Sequence, residues 1–332
     1  NGQFLFGSGI VQKLPTTKGV ISIPQFSSNF PILTNGTGNV ITLANDNHVS
    51  GIQSTLNAGS NKAHIHVPTA GSFIIANNIL SGGTGFGVYV DNESVGSIFN
   101  NLITNMTQGI WFNQSFNGTI TGNAISYCGS TGVEINGDFS GTICNNTISN
   151  VAAGIYVAAT STGNIIANTF SDGFADNAIW IAGSMRGNIL DNKFINPIAA
   201  GIYLPMFSRG SVNNNSIQGG SGIIVQLTQD SCVQINANLL SQKSGIKAVG
   251  PNNGNSALSI AENVTQDGTN NLTVQSAAGG TICLDLMNNK FSQIELNGSA
   301  GTLNLGISSG NEGVINETNV QPLLPSTACG CP

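Results

Sequence analysis

The segments Gly163-Asn-Ile-Ile-Ala-Asn168-Thr-Phe170 and Gly187-Asn-Ile-Leu-Asp-Asn192-Lys-Phe194 carry one pattern. In both, an aliphatic residue follows the glycine by two positions, an asparagine comes three positions later, and an apolar residue ends the segment. The asparagine recurs at intervals of 22 to 26 residues. These residues, called here the asparagine ladder, are Asn78, Asn101, Asn123, Asn146, Asn168, Asn192, Asn215, Asn238, Asn263 and Asn289. A repeat of this length is typical of a solenoid, in which each coil buries its apolar face against its neighbours.

A second short segment follows most of the ladder asparagines after seven to ten residues. Examples are Gly109-Ile-Trp-Phe112 and Gly154-Ile-Tyr-Val157, in which one outward residue lies between two apolar ones. Alternation with a period of two predicts a short strand. In stacked parallel coils, equivalent residues should lie about 4.8 Å apart. We expect each ladder asparagine at a bend, tolerating left-handed backbone and bonding to its copies in adjacent coils.

The composition excludes several classes of protein. Only 7% of the residues are charged, against roughly 25% in an average globular chain, so amphipathic helices with charged faces are not expected. The net charge of -6 and the nine lysines and arginines argue against nucleic acid as a partner. No apolar run approaches the roughly 18 residues of a membrane span. Nothing in the sequence calls for a cofactor.

The repeat resembles the right-handed parallel β-helix of the pectin-lyase-like superfamily, with its internal asparagine ladder. The resemblance implies an all-β, right-handed parallel β-helix solenoid of about eleven coils with N- and C-terminal caps. We expect an N-terminal cap over residues 1–37, the β-helix over 38–305, and a C-terminal cap and tail over 306–332. This fold carries lyases, hydrolases, epimerases, phage tailspikes and non-catalytic surface proteins, so it does not assign an activity.

Enzymes of this fold that act on acidic polysaccharides usually need clustered carboxylates and a basic residue. The adjacent aspartates, Gly-His-Gly and Arg-x-Lys of the polygalacturonases are missing. The least unfavourable catalytic candidates are Glu134, Asp138, Arg186 and Arg209. The two arginines are 23 residues apart and should stack on neighbouring coils, where they would attract an anion unless Asp191 neutralises them.

Histidines and cysteines give no clear metal site. The interval of 31 residues from Asn47 to Asn78 exceeds those that follow, which predicts a loop insertion over residues 58–68. His64 and His66 flank Ile65 in this loop, where alternation would turn both imidazoles to one side, and surface chemistry is favoured over a metal role. The cysteines are expected to be buried free thiols. The exception is Cys329-Gly-Cys331, which is left open as a labile disulfide, a cross-link to another chain or the start of a further segment.

The outward position of the second strand is rich in aromatic residues. Five of its first six occupants form what we call the aromatic strip: Tyr89, Trp111, Tyr156, Trp180 and Tyr203. An exposed strip of this kind should contact something. Three occupants are open: a terminal segment or loop of the same chain, another protein chain, or a glycan.

These observations favour a non-catalytic extracellular β-helix, either adhesin-like or fibre-forming, that makes contact through the aromatic strip. Its partners would be further copies of itself, as a trimer or filament, or a glycan. The alternative is a polysaccharide-active lyase or hydrolase, or a phage tailspike, of the pectin-lyase-like type. Since the sequence starts at Asn1 rather than Met, we expect a removed leader or a fragment, and a secreted or cell-surface location.

Overall fold

The computed structural model describes residues 2–16, 19–25, 29–56, 59, 61–173, 176–266, 270–322 and 329. Its described residues form 36 strands and no helix. The expected all-β parallel β-helix is therefore confirmed. The chain divides into two compact units, Asn1–Ala152 and Ala153–Pro332, which are described separately. No helix in the described ranges is long and apolar enough to cross a membrane.

The strands of the first unit are β1 (Phe4–Phe6), β2 (Gln12–Thr16), β3 (Gly19–Ile23), β4 (Ile32–Asn35), β5 (Ile41–Thr42), β6 (Asn47–Ser50), β7 (Gln53–Leu56), β8 (Ala63–Val67), β9 (Gly71–Ala76), β10 (Ile79–Ser81), β11 (Phe86–Val90), β12 (Ser94–Phe99), β13 (Leu102–Met106), β14 (Gln108–Phe112), β15 (Thr119–Thr121), β16 (Ala124–Ile135) and β17 (Thr142–Cys144). The unit boundary falls within β18 (Thr147–Val157).

The strands that follow are β19 (Asn164–Ile166), β20 (Thr169–Ser171), β21 (Ile179–Ile181), β22 (Asn188–Leu190), β23 (Lys193–Ile195), β24 (Ile202–Asn213), β25 (Ser216–Gln218), β26 (Gly222–Asn236), β27 (Leu239–Ser241), β28 (Gly245–Val249), β29 (Gly254–Ala261), β30 (Val264–Thr265), β31 (Asn271–Gln275), β32 (Gly280–Met287), β33 (Lys290–Asn297), β34 (Thr302–Ser309), β35 (Glu312–Thr318) and β36 (Val320–Pro322).

Aliphatic residues of the repeat lie directly above one another inside each unit. In the first unit, parallel pairing stacks Ile75, Ile98, Ile120 and Ile143 in register, and none of the four is exposed. In the second unit the same position is held in register by Ile165, Ile189, Val212, Ile235, Ile260 and Leu286. Each such residue is removed from water only by its neighbours, so burial of apolar surface holds the coils together.

Phenylalanines fill the remaining core beside these aliphatic stacks. In the first unit the rings of Phe112 and Phe116 stack with their centroids 4.1 Å apart. In the second unit Phe170 and Phe194 stack at 4.9 Å with nearly parallel planes. All four rings are 1% exposed or less. The core is therefore built by stacking like on like along each unit.

The ladder asparagines form a directed chain of hydrogen bonds. Asn101 donates to Oδ1 of Asn123 through its backbone N (3.0 Å) and through its Nδ2 (2.9 Å). Its Nδ2 also donates to the backbone oxygens of Ile75 and Phe99. In the second unit Asn289 donates in the same way to Asn311, which extends the ladder beyond the last predicted member. Each buried amide is thus satisfied by the coil next to it.

Left-handed backbone occurs one residue earlier than expected. The ladder asparagines are not among the residues with positive φ, whereas the residue before each of them is. These preceding residues are Asn77, Asn100, Gly122, Asn145, Ala167, Asp191, Asn214, Ala237, Glu262 and Asn288, with φ between 52° and 65°. The expectation placed the bend on the wrong residue: the kink precedes the asparagine, which is thereby turned inward to reach the next coil.

The first and last strands also pair. Near the N-terminus, β2 and β3 form an antiparallel hairpin, and β1 pairs in parallel with β6. At the other end, β35 pairs in parallel with β33, and β36 with β34. Parallel pairing is therefore found on both sides of residue 305, where the C-terminal cap was expected to begin.

Candidate functional site

The aromatic strip of the first unit is part of a four-residue stack. The outward positions of β8, β11, β14 and β16 pair in register, which superimposes His66, Tyr89, Trp111 and Glu134. The rings of His66 and Tyr89 are 5.2 Å apart and those of Tyr89 and Trp111 are 4.9 Å apart, with interplanar angles of 13° and 14°. Because the rings lie face to face, they cover each other and turn their edges outward. All four side chains are half-buried.

A histidine–aspartate pair lies at one end of this stack. His66 Nε2 is 2.7 Å from Oδ2 of Asp91, and its Nδ1 is 2.9 Å from Nδ2 of Asn39. Asn39 Oδ1 accepts a hydrogen bond from the backbone N of Ala63, and this bond fixes the orientation of the amide so that Nδ2 faces His66. His66 Nδ1 therefore accepts the hydrogen bond from Asn39. Nε2 carries the ring proton and donates a hydrogen bond to Asp91. Burial, a hydrogen bond to Asp91 and its negative charge raise the pKa of Tyr89 to about 12.

Glu134 lies at the other end and is held by side-chain amides. Nε2 of Gln108 donates to its Oε2 at 2.6 Å. With the Asn136 amide turned to satisfy both neighbours, its nitrogen donates to Glu134 Oε1 (3.2 Å) and its oxygen accepts from Trp111 Nε1 (2.9 Å). Burial raises the pKa of Glu134, while hydrogen bonds from Thr131 and Gln108 act in the opposite direction. This half-buried carboxyl therefore lies next to the indole of Trp111 and holds its proton more tightly than a carboxyl in water.

The strip has a different geometry in the second unit. Tyr156, Trp180 and Tyr203 also pair in register. Their rings are inclined by 65° between Tyr156 and Trp180 and by 48° between Trp180 and Tyr203, with centroids 5.0 and 6.0 Å apart. Inclined rings leave part of each face uncovered. The indole Nε1 of Trp180 is buried and has no hydrogen-bond partner among the described residues. The accessible part of this half-buried indole is therefore carbon.

The predicted catalytic residues fall into two separate groups. In the first unit Asp138 is exposed, and its backbone N donates to Ser115 Oγ, whereas Glu134 is half-buried in the stack. In the second unit Arg186 and Arg209 line one groove, as the spacing of the repeat predicts. Asp191 is exposed and makes no ion pair with Arg186 in the part of the chain that the structure describes.

The two neighbouring histidines have different surroundings, contrary to the expectation that both belong to one surface loop. They lie in strand β8, and His64 is fully buried. Its Nε2 is 2.9 Å from the carbonyl oxygen of Gly82 and its Nδ1 is 2.8 Å from Ser54 Oγ. Because a carbonyl only accepts, Nε2 carries the proton and Nδ1 accepts from the serine. Burial lowers the pKa of His64, which keeps the ring neutral.

Two cysteines that were expected to be free thiols are cross-linked. Cys283 forms a disulfide with Cys329, with Cα atoms 5.4 Å apart, and Cys232 is also disulfide-bonded. The backbone N of Cys329 donates to both carboxylate oxygens of buried Asp285. Repeat spacing could not reveal this bond, because Cys329 lies outside the repeat. The open question about Cys331 falls outside the described residues.

Two other cysteines remain free, namely Cys128 and Cys144. Burial raises the pKa of Cys128 to about 12, so its thiol is unreactive near neutral pH.

A comparison with family models supplies one match. Residues 25–178, somewhat under half of the chain, are similar to the family described as periplasmic copper-binding protein (NosD). No curated protein and no solved structure matches the chain. The resemblance to the pectin-lyase-like superfamily therefore stands at the level of the fold. A periplasmic family agrees with the predicted secreted or cell-surface location, as do disulfides, which persist in oxidising compartments.

The described side chains do not fit a copper ion. No three of the described histidines, cysteines, aspartates and glutamates gather into a group that could hold a metal. Both ring nitrogens of His64 and of His66 are engaged by other groups. Copper sites in proteins use imidazole and sulfur ligands, and the described residues of the matched segment contain no group of three histidines, cysteines or carboxylates that could hold the ion.

Proposed function

We propose that this protein is a non-catalytic, adhesin-like β-helix that binds neutral glycans outside the cytoplasm. The contact surface is the part of the aromatic strip formed by Tyr156, Trp180 and Tyr203. The observation that carries the proposal is the carbon surface of Trp180, framed by two inclined tyrosine rings. Aromatic carbon next to polar groups suits a pyranose ring, which has apolar C–H faces and hydroxyl edges.

The surrounding composition supports a neutral glycan rather than a charged one. The surface of the coils is built largely from asparagine, serine, threonine and glycine, since only 7% of the residues are charged. Amides and hydroxyls both donate and accept, and therefore match sugar hydroxyls. In contrast, the stacked rings of Tyr89 and Trp111 cover each other, so the first unit offers less ring face to a ligand.

The test is a binding screen of the whole chain against soluble neutral oligosaccharides, with intrinsic tryptophan fluorescence and calorimetry as readouts. We expect saturable binding that Trp180→Ala weakens at least tenfold. Trp111→Ala is the matched control, because it removes the same side chain from the covered stack, and it should leave the affinity within about twofold. Failure of every neutral glycan to bind, or equal loss in both variants, would overturn the proposal.

Light scattering of the same samples tests the other partner expected for the strip. If the wild-type chain forms trimers or filaments that dissociate in Trp180→Ala, the strip binds a second copy and the glycan assignment is wrong. A monomer whose mass does not change on substitution is the result that the glycan proposal requires.

A second candidate is the polysaccharide-active enzyme, and the buried carboxyl of Glu134 favours it. A carboxyl with a raised pKa beside aromatic rings is the usual form of a general acid for glycosidic bonds. Incubation with a panel of acidic and neutral polysaccharides tests this candidate. If product forms with the wild type and not with Glu134→Gln, the protein is an enzyme and the proposed binding function is wrong. The same conclusion follows if Arg186→Ala abolishes the activity.

A further inference from the structure

Arg186 and Arg209 lie on neighbouring coils of the second unit, where both line the same groove. Asn188 pairs with Ser211 two residues after the arginines, and Met185 pairs with Phe207 before them. The coil of Arg209 therefore has one extra residue between these two pairs, so the arginines are neighbours across adjacent coils without being strand partners. Parallel strands in such a stack are about 4.8 Å apart. These two residues are the only arginines in the sequence. The chain thus places both of its guanidinium groups on adjacent coils.

The pair faces an open groove of about 580 Å³ in the same unit. Ser184, Ser208 and Thr228 also line the groove. Ser208 Oγ donates to the carbonyl oxygen of Met185 at 3.0 Å and lies 3.0 Å from Ser184 Oγ. The floor of the groove is therefore neutral, small and fixed by hydrogen bonds, which leaves room above it.

The two positive charges have no internal counter-ion among the described residues. Both arginines are exposed, and neither forms an ion pair with Asp191 or with Asp230, which lies at the groove. Two like charges on neighbouring coils repel each other. In a chain with a net charge of -6, ion pairs with acidic residues would be easy to make. The two arginines thus share the groove with the carboxylate of Asp230 without forming an ion pair with it.

We propose that this groove is a binding site for a phosphate group, taken either as the free ion or as the monoester of a phosphorylated ligand. One planar guanidinium satisfies both oxygens of a carboxylate, which would leave the second cation uncompensated. A phosphate carries a charge of about -1.5 to -2 near neutral pH and has three or four acceptor oxygens. It therefore matches two guanidinium groups in charge and in number of acceptors, and the hydroxyl of Thr228 provides another donor.

Calorimetry with inorganic phosphate tests the site on the complete chain. We expect saturable binding with one phosphate per chain, weakened at least tenfold by Arg186→Gln and by Arg209→Gln. Arg186→Lys keeps the charge without the planar fork and should have an intermediate affinity. Lys193→Gln is the charge-matched control, since this exposed lysine lies on β23 outside the groove, and its affinity should equal that of the wild type.

Further ligands and variants separate the possible outcomes. Binding of glucose 6-phosphate indicates that the groove admits esters, whereas binding of inorganic phosphate alone indicates the free ion. Tighter binding of glucuronate than of phosphate, no saturable phosphate binding, or equal loss in Lys193→Gln would overturn the proposal. Thermal melts check that the variants fold like the wild type. Substitutions at these exposed arginines should not lower the melting temperature, so a loss of phosphate affinity would reflect the site and not the fold. Trp180→Ala should keep its phosphate affinity, so this site and the glycan surface can fail separately.

Discussion

Asn192 accepts two hydrogen bonds on a single atom from Asn168 in the preceding coil. The backbone N of Asn168 lies 2.9 Å from Asn192 Oδ1, and its side-chain Nδ2 lies 3.0 Å from the same oxygen. Asn168 is 1% exposed, so water cannot replace these bonds. The hydrogen bonds of each buried ladder amide therefore depend on the asparagines in the neighbouring coils, and the loss of one member leaves a buried group of its neighbour without a partner.

Asn168→Leu should lower the free energy of unfolding by roughly 1–3 kcal/mol, because it leaves Asn192 Oδ1 without the Nδ2 donor in a buried site. Chemical denaturation followed by circular dichroism measures the loss. Asn255→Leu, on the exposed face of β29, is the control and should change stability by less than about 0.5 kcal/mol. Equal effects of the two substitutions would contradict a structural role for the ladder.

Ala167→Gly should stabilise the protein by about 1 kcal/mol. Ala167 has a φ of 54°, a left-handed conformation that costs a residue with a Cβ about 1–2 kcal/mol and costs glycine little. The control is Ala278→Gly, at an exposed residue without positive φ, which should destabilise slightly because glycine is more flexible in the unfolded chain. Thermal melts compare the two, and the same sign of effect at both positions would refute the explanation.

Between pH 4 and pH 7.5, the unfolding free energy of Glu134→Gln should rise relative to that of the wild type, on top of a constant loss because a glutamine has one acceptor for the two amide donors at this site. Because burial raises the pKa of Glu134, the folded protein binds this proton more tightly than the unfolded chain does. The protonated Glu134 therefore stabilises the folded protein below the pKa that this group has in the unfolded chain. This stabilisation is lost as the pH rises through the pKa of Glu134 in the folded protein. Unfolding free energies of both proteins at pH 4 and pH 7.5 measure the difference. A difference in unfolding free energy between the two proteins that does not change with pH would contradict the prediction.

Cys329→Ser should lower the unfolding free energy by about 2–4 kcal/mol, since it opens a disulfide between residues 46 positions apart in the chain. Urea denaturation of oxidised protein measures the effect, and a reducing agent should lower the wild type at least to the level of the variant, since it also opens the disulfide of Cys232. Cys144→Ser is the control, because this thiol is free and only contacts Thr121 Oγ1. An equal loss in both serine variants would exclude the disulfide as the cause.

The sequence was sufficient for features that repeat. The ladder from Asn78 to Asn289 and the register of the strip could be predicted because every coil supplies another copy of the same signal. The left-handed residue before each ladder asparagine was also visible, as a second Asn, Asp or Gly at most of these positions. Because asparagine itself tolerates left-handed backbone, the sequence pattern is equally compatible with a bend at the ladder residue.

Features that occur once could not be predicted in this way. The Cys283–Cys329 bond joins the repeat to a tail that has no repeat. The contact between His66 and Asp91 depends on which way two side chains turn on adjacent coils. Similarly, spacing placed Trp111 and Trp180 at equivalent positions, but only their rotamers decide that one is stacked and the other inclined.

The kink before each ladder asparagine makes the coil an exchangeable module. Every coil is bent at the same place by one left-handed residue and passes its amide to the next coil through the same atoms. Removal of one whole period, such as the 23 residues from Asn192 to Asn214, would bring together two coils whose contact surfaces already match. Gene duplication or loss of single periods can therefore change the length of such a protein without redesigning its core, and only the sites that occur once, such as the paired arginines, would be put at risk.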